Sequence, residues 1–310
     1  MSEQRKIPNF LKFLFGAAAG MAGTCIVHPL DLIKNRMQLS GMGGAQKEYR
    51  NMFHAMQIVG QREGLPGFYR GLSAGLLRQV TYTGTRLGVY TYLFERFKSY
   101  DGKPPGFLTK VAIGMFAGLS GAFVGTPAEV SLIRMTADGR LPIEERRNYA
   151  GVSNALIRIY REEGLFTLWK GATPTMGRAI AVNAAQLGTY SQAKEMVASH
   201  MALKEGIGLH FLAAMISGFI TSIVSMPLDI AKTRLQNMKT VGGKAEFKGP
   251  VDVLIQLKKK EGFFALWKGF LPYYLRIGPH TVFVFIFLEQ FNRAYFKFKY
   301  GDSGTGSGSL

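Results

Sequence analysis

Pro29-Leu30-Asp31-Leu32-Ile33-Lys34 opens a phrase that the chain uses twice more, as Pro127-Ala128-Glu129 with a leucine at 132, and as Pro227-Leu228-Asp229-Ile230-Ala231-Lys232. Each copy is followed by Glu-Gly (Glu63-Gly64, Glu163-Gly164, Glu261-Gly262) and then by aromatic-basic-Gly (Tyr69-Arg70-Gly71, Trp169-Lys170-Gly171, Trp267-Lys268-Gly269). The three prolines stand 98 and 100 residues apart. Self-similarity at a nearly fixed period means that one structural unit is used three times, so the architecture is threefold.

With this tripled motif the chain resembles the mitochondrial carrier family, over almost its whole length, from about Phe10 to about Lys299. The resemblance implies an all-α membrane protein: three tandem repeats of about 100 residues forming one barrel of six transmembrane helices, with three short helices on the matrix side. The repeats are expected at 10–100, 107–200 and 207–299, followed by a flexible Gly/Ser-rich tail at 301–310. The resemblance further implies a multi-pass protein of the mitochondrial inner membrane that exchanges small anions; a single barrel needs no partner to close, so a functional monomer is expected.

Composition agrees with that reading and closes off others. A chain of 310 residues, 47% of them hydrophobic, also suits one or two globular domains. The mean hydropathy of +0.07 fits six spans only if each helix keeps a polar face on water. The net charge of +18 is spread through all three repeats without a nucleic-acid motif, so it is assigned to anionic lipid and anionic substrates, and no nucleic-acid partner is expected. One cysteine, Cys25, excludes an intrachain disulfide framework. Five histidines and that cysteine supply neither a nucleophile constellation nor a metal cluster, so no enzyme, no metal and no cofactor are expected. Gly41-Met-Gly-Gly-Ala-Gln-Lys47 lacks the Lys-Ser/Thr ending of a phosphate loop and reads as a loop on the matrix side. No cleavable signal is evident before the apolar run at Phe10.

The spans are expected at 10–38, 72–99, 107–135, 172–199, 207–236 and 270–297, with a short helix near 51–63 in the first repeat. Small residues at spacings of three and four (Gly16, Gly20, Gly23; Gly114, Gly118, Gly121; Ala214, Gly218, Thr221) share a helix face and let neighbouring backbones approach. Pro29, Pro127 and Pro227 fall inside odd-numbered spans, where each kinks the helix and frees a carbonyl. Acid and base three residues apart lie on one helix face. Pairing within a helix and pairing between helices both satisfy them, and the threefold ring together with the family resemblance favours the second. Asp229 then pairs with Lys34 and Glu129 with Lys232, while Asp31 faces Leu132 without a partner, a matrix gate of two ion pairs.

Twenty residues after Gly71, Gly171 and Gly269 stand Thr91, Ser191 and Glu289, and three further on Phe94, Lys194 and Asn292. The family resemblance implies a second, cytoplasmic gate there. Only hydrogen-bonding pairs are expected, Thr91 with Lys194 and Ser191 with Asn292, with Glu289 opposite Phe94, which makes a weak gate and a carrier that rests open to the cytoplasm.

Seven residues after the same glycines stand Arg78, Arg178 and Arg276, three guanidinium groups at one depth. Arg86 follows Arg78 by eight residues on the same helix face, where the other repeats have Gln186 and Val284. Four arginines without acidic neighbours in their own helices invite an anion, and two forks at different depths fit a molecule with a carboxylate at each end. Asn183, Gln186 and His280 add neutral polar groups that suit a keto or hydroxyl oxygen or, equally, a contact between helices. Stretches such as Gly71-Leu-Ser-Ala-Gly-Leu-Leu-Arg78 and Gly278-Pro-His-Thr-Val282 narrow the resemblance to dicarboxylate-exchanging members, which implies exchange of 2-oxoglutarate for malate or a related dicarboxylate. An uncoupling-type proton carrier is the alternative within the family; the adenine-nucleotide reading fails because Arg234-Leu-Gln-Asn-Met-Lys239 lacks that group's signature. The aromatic-basic-Gly phrases, with Gly71, Gly171 and Gly269 opening helices, suit a lipid phosphate, and the resemblance implies cardiolipin.

Overall fold

The computed structural model describes residues 8–42, 48–98, 105–201, 207–238, 240–241 and 244–300. Six long helices carry the architecture: α1 (Asn9–Leu39), α3 (Leu72–Arg96), α4 (Phe107–Asp138), α6 (Ala172–Met201), α7 (Ile207–Asn237) and α9 (Phe270–Tyr300). Three short ones, α2 (Met52–Gly67), α5 (Val152–Glu163) and α8 (Pro250–Glu261), follow α1, α4 and α7. The long helices close into a ring in chain order, with α9 packing back on α1, and α1, α4 and α7 also meet one another. Among the described residues the one departure from the all-α expectation is a two-residue antiparallel ladder, Thr240–Val241 with Lys244–Ala245.

The buried core lies at the end where the short helices sit. Each of these is amphipathic and turns its apolar stripe onto the preceding long helix: Ala55 and Val59 against Leu32 and Ile33, Ala155 against Leu132, Leu257 against Ile230. At about 1.5–3 kcal/mol for each large apolar side chain removed from water, these small clusters hold the short helices in place. The outer faces of the long helices keep Phe116, Phe219 and Ile220 exposed, as an apolar solvent requires.

Among the described residues four segments are both long and apolar enough to cross a membrane: Leu14–Leu39, Leu108–Asp138, Leu212–Asn237 and Phe263–Lys299. Helix α3 has the length, at about 38 Å for its 25 residues, and α6 is longer still. Neither is apolar enough by composition, because α3 carries Arg78 and Arg86 and α6 carries Arg178 and Lys194. Of the small residues on α1, α4 and α7, Gly20, Gly23, Gly121 and Gly218 lie against a neighbouring helix, whereas a Cβ on Gly16 or Gly114 would meet nothing within 4 Å. A Cβ on Gly121 would meet the backbone oxygen of Tyr82 at 2.8 Å, so α3 and α4 touch there only because the side chain is missing.

Proline at 127 and 227 removes the donor for the carbonyl four residues earlier. The structure supplies a replacement in two repeats: Trp169 Nε1 donates to the oxygen of Phe123 at 3.2 Å, and Trp267 Nε1 to that of Ile223 at 3.0 Å. The tryptophans of the aromatic-basic-Gly phrases therefore clamp the kinks of α4 and α7. Trp267→Phe keeps the ring and removes the donor. It is expected to cost about 1–3 kcal/mol, the penalty for an orphaned carbonyl away from water, read as a lower unfolding midpoint of the solubilised protein.

Candidate substrate site and gate

Beyond the prolines, α1, α4 and α7 turn their acids and bases inward at the closed end of the ring. Lys34 forms an ion pair with Asp229, and Lys232 Nζ donates to Glu129 Oε1 at 2.6 Å. Each pair is braced from the side. Gln38, one turn beyond Lys34, donates to Asp229 Oδ2 at 2.8 Å and accepts from Thr233 Oγ1 at 2.7 Å. Gln236, one turn beyond Lys232, reaches Glu129 Oε2 at 3.4 Å, where Thr175 Oγ1 also donates at 3.3 Å. All four charged groups are buried. An ion in such a place is tolerated only when paired and hydrogen-bonded, which fixes the three helices against one another.

The expectation that Asp31 lacks a partner is corrected. Arg276 Nη1 lies 2.8 and 2.9 Å from its two carboxylate oxygens. The sister arginines behave alike: Arg178 Nε is 2.8 Å from Asp229 Oδ1, and Arg78 Nη1 is 3.7 Å from Glu129 Oε1. The acids of their own helices, Glu95, Glu195 and Glu289, stand more than ten residues further along the chain, yet the kinks bring the acids of α1, α4 and α7 to the depth of the arginines. A cavity of about 140 Å³ includes all six of these groups in its lining, together with Tyr82 and Leu132. Tyr273, unremarked in the sequence, sits in the middle. Its hydroxyl accepts from Arg178 Nη2 at 3.0 Å, and its ring lies 4.7 Å from Lys34 Nζ and 5.5 Å from the Arg276 guanidinium. An electron-rich ring face between three cations lowers their mutual repulsion.

Below this layer lies a second threefold set that the sequence reading passed over, although an arginine recurs seven residues after each proline. Arg36, Arg134 and Arg234 pair with Glu63, Glu163 and Glu261, the acids of the Glu-Gly phrases. Their Nε atoms reach across to the next odd helix, at the carbonyls of Thr136 (3.0 Å), Gln236 (3.2 Å) and Gln38 (3.2 Å). Arg70 and Lys268 of the basic-Gly phrases join Glu63 and Glu261. The carboxyl of Glu163 feels burial, which raises its affinity for a proton, but hydrogen bonding and the charge of Arg134 outweigh it and hold the group below the usual carboxylate range. Gly71, Gly171 and Gly269 adopt φ of 82°, 81° and 83°, a left-handed turn suited to glycine, which starts each even helix against an odd one.

At the opposite end the expected gate positions make other contacts. Glu289 accepts from Arg293 on its own helix at 2.6 Å, Thr91 is exposed, Phe94 stacks on Tyr90, and Asn292 Oδ1 has no hydrogen-bond partner among the described residues. Glu289 thus has its ion-pair partner one turn on in its own helix. Lys194 is half-buried. His280 is half-buried with its ring against the Gly23 position of α1, and Arg86 lies beside Gly121 of α4. The side chains of Asn183, Gln186 and Ser191 lie outside the described residues.

The sequence profile of the family described as "Mitochondrial carrier protein" matches residues 5–101, 103–201 and 204–299. The chain belongs to the mitochondrial carrier family. With its long apolar helices it is a multi-pass protein of the mitochondrial inner membrane. It is similar to the human mitochondrial 2-oxoglutarate/malate carrier protein, with 62% identity over 94% of this chain and 93% of that protein. The Caenorhabditis elegans protein of that name is 59% identical over 96% of this chain and 97% of its own length. An Arabidopsis thaliana relative named mitochondrial uncoupling protein 5 is 38% identical over 91% of this chain and 97% of its own length.

Proposed function

We propose that this carrier exchanges 2-oxoglutarate for malate or a related dicarboxylate across the inner membrane by alternating access, without covalent chemistry and without a cofactor. The observation that carries the reading is that each of three arginines at one depth already holds a carboxylate in the cavity. Arg276 takes Asp31, Arg178 takes Asp229, and Arg78 reaches Glu129. A substrate carboxylate suits the same groups, and Arg86, two helical turns from Arg78 on the same helix, provides for a second one.

All six long helices cross the membrane in this reading, with the polar faces of α3 and α6 turned to the water-filled interior. The pairs Lys34–Asp229 and Lys232–Glu129 close the matrix end, and Thr91, Phe94, Ser191, Lys194, Glu289 and Asn292 form a weaker cytoplasmic gate. The helix starts at Gly71, Gly171 and Gly269 offer backbone donors and a positive dipole end to a phosphate, which suits cardiolipin. The barrel closes on itself within one chain, which supports a functional monomer.

Reconstitution tests the reading. Proteoliposomes loaded with malate take up labelled 2-oxoglutarate, and those loaded with phosphate, citrate, aspartate or ADP take up far less. Uptake of ADP without dicarboxylate exchange, or a proton flux larger than the exchange flux, would sink the proposal and favour a nucleotide or uncoupling-type carrier.

A further inference from the structure

The three carboxylates of the gate are not held alike. Asp229 has a lysine, an arginine and a glutamine, and Glu129 has a lysine, a threonine and a glutamine within bonding distance. Asp31 has Arg276. Threefold symmetry would put a lysine at 132 and a bracing glutamine at 136, but the chain has Leu132 and Thr136, and the Thr136 hydroxyl donates to Ile133 of its own helix at 3.0 Å. The pairs also differ in access: side-chain exposure is 23% and 15% for Arg276 and Asp31, against 10% and 3% for Lys34 and Asp229 and 6% and 8% for Lys232 and Glu129. Arg276 also lines the cavity.

We propose that Arg276 serves as the third cation of the matrix gate as well as a substrate ligand, so that Asp31 and an entering substrate carboxylate compete for one guanidinium. This rests on the dicarboxylate reading for the identity of the competitor. The two buried lysine pairs help keep the gate shut while the carrier is empty. All three pairs line the cavity, and the third, the most exposed of them and without a glutamine brace among the described residues, is the one most open to a solute. When a carboxylate of the substrate takes Arg276, Asp31 loses its cation and α1 loses one ion-pair tie to α9, which biases the ring toward opening. Substrate arrival and gate release are then one exchange of partners, and the empty carrier remains shut.

The test is a double-mutant cycle on the full chain in detergent, read as the unfolding midpoint without substrate. Asp31→Asn and Arg276→Gln each lower it by about 2–4 °C, and the double variant falls no further than either single one. Leu132→Lys in the Arg276→Gln background gives Asp31 a new cation and restores the midpoint, while exchange stays lost because the ligand is still missing. Saturating 2-oxoglutarate raises the parent midpoint and shrinks the coupling between Asp31 and Arg276. Additive losses without substrate, or no recovery with Leu132→Lys, overturn Arg276 as a gate cation. Coupling that persists undiminished while 2-oxoglutarate stabilises the parent overturns the competition. A parent midpoint blind to both 2-oxoglutarate and malate refutes the dicarboxylate reading instead, and the substrate-free cycle still decides the gate role.

Discussion

Arg178→Ala is expected to abolish most exchange, and Arg178→Lys to recover little of it. In the structure the guanidinium lies between two acceptors: Nη2 donates to the Tyr273 hydroxyl at 3.0 Å, and Nε is 2.8 Å from Asp229 Oδ1, an ion pair without hydrogen-bond alignment. A planar fork spans two acceptors at fixed angles, whereas an ammonium is a point charge and serves one of them at a time. Removing the fork costs about 2–5 kcal/mol if its contact with substrate is desolvated, a loss of roughly thirtyfold or more in kcat/KM. Asp229 keeps Lys34 and Gln38 in either variant, so the gate still closes and the protein still folds. The measurement is initial uptake of labelled 2-oxoglutarate into malate-loaded proteoliposomes across a range of substrate concentrations. If the lysine variant transports as well as the parent, the arginine supplies only a positive field and the fork has no part in recognition.

The threefold period makes part of this site readable without coordinates. Lys34 and Asp229 are 195 residues apart, yet their place in a repeated Pro-x-acid phrase gives both the same depth on equivalent helices of two repeats. Their pairing follows from symmetry and the cost of an isolated buried charge. The same symmetry does not relate odd helices to even ones. Counting from Gly269 places Arg276 among its sisters, and counting from Pro29 places Asp31 among its own, but nothing in either count shows that the two rings overlap. Kink and tilt decide that, and the long guanidinium side chain then bridges what is left.

Other features were present in the letters and carried no visible reason. The arginine seven residues after each proline repeats as faithfully as the acid, but its partners are the Glu-Gly acid and a backbone carbonyl of the next helix. Backbone acceptors leave no mark on a sequence. The indole contacts of Trp169 and Trp267 are of the same kind, since a carbonyl freed by proline announces itself only when a donor is seen beside it. The hydropathy of α3 and α6 misleads for the opposite reason. Their arginines lower the average of the whole helix, although such groups burden only the face turned to the cavity.

Reversing charges at the two lysine pairs is expected to give unequal rescue. Each single reversal, Asp229→Lys or Lys34→Asp, leaves like charges buried together. At about 3–5 kcal/mol for an uncompensated buried charge, exchange should fall by a hundredfold or more. The double reversal restores the pair, but a lysine at 229 then stands beside Arg178, which is 2.8 Å from the present carboxylate. At the other pair the nearest cavity arginine, Arg78, is 3.7 Å from Glu129, so Glu129→Lys combined with Lys232→Glu meets a weaker repulsion. Double reversal at 129 and 232 should therefore recover several times more exchange than double reversal at 34 and 229. Proteoliposome uptake by the four single and two double variants, each normalised to the amount of protein inserted, reads the difference. Losses that merely add at both sites would mean that the lysines and acids do not pair during transport. Equal recovery at both would mean that Arg178 leaves Asp229 before the gate opens, since its charge would then no longer oppose the exchanged lysine.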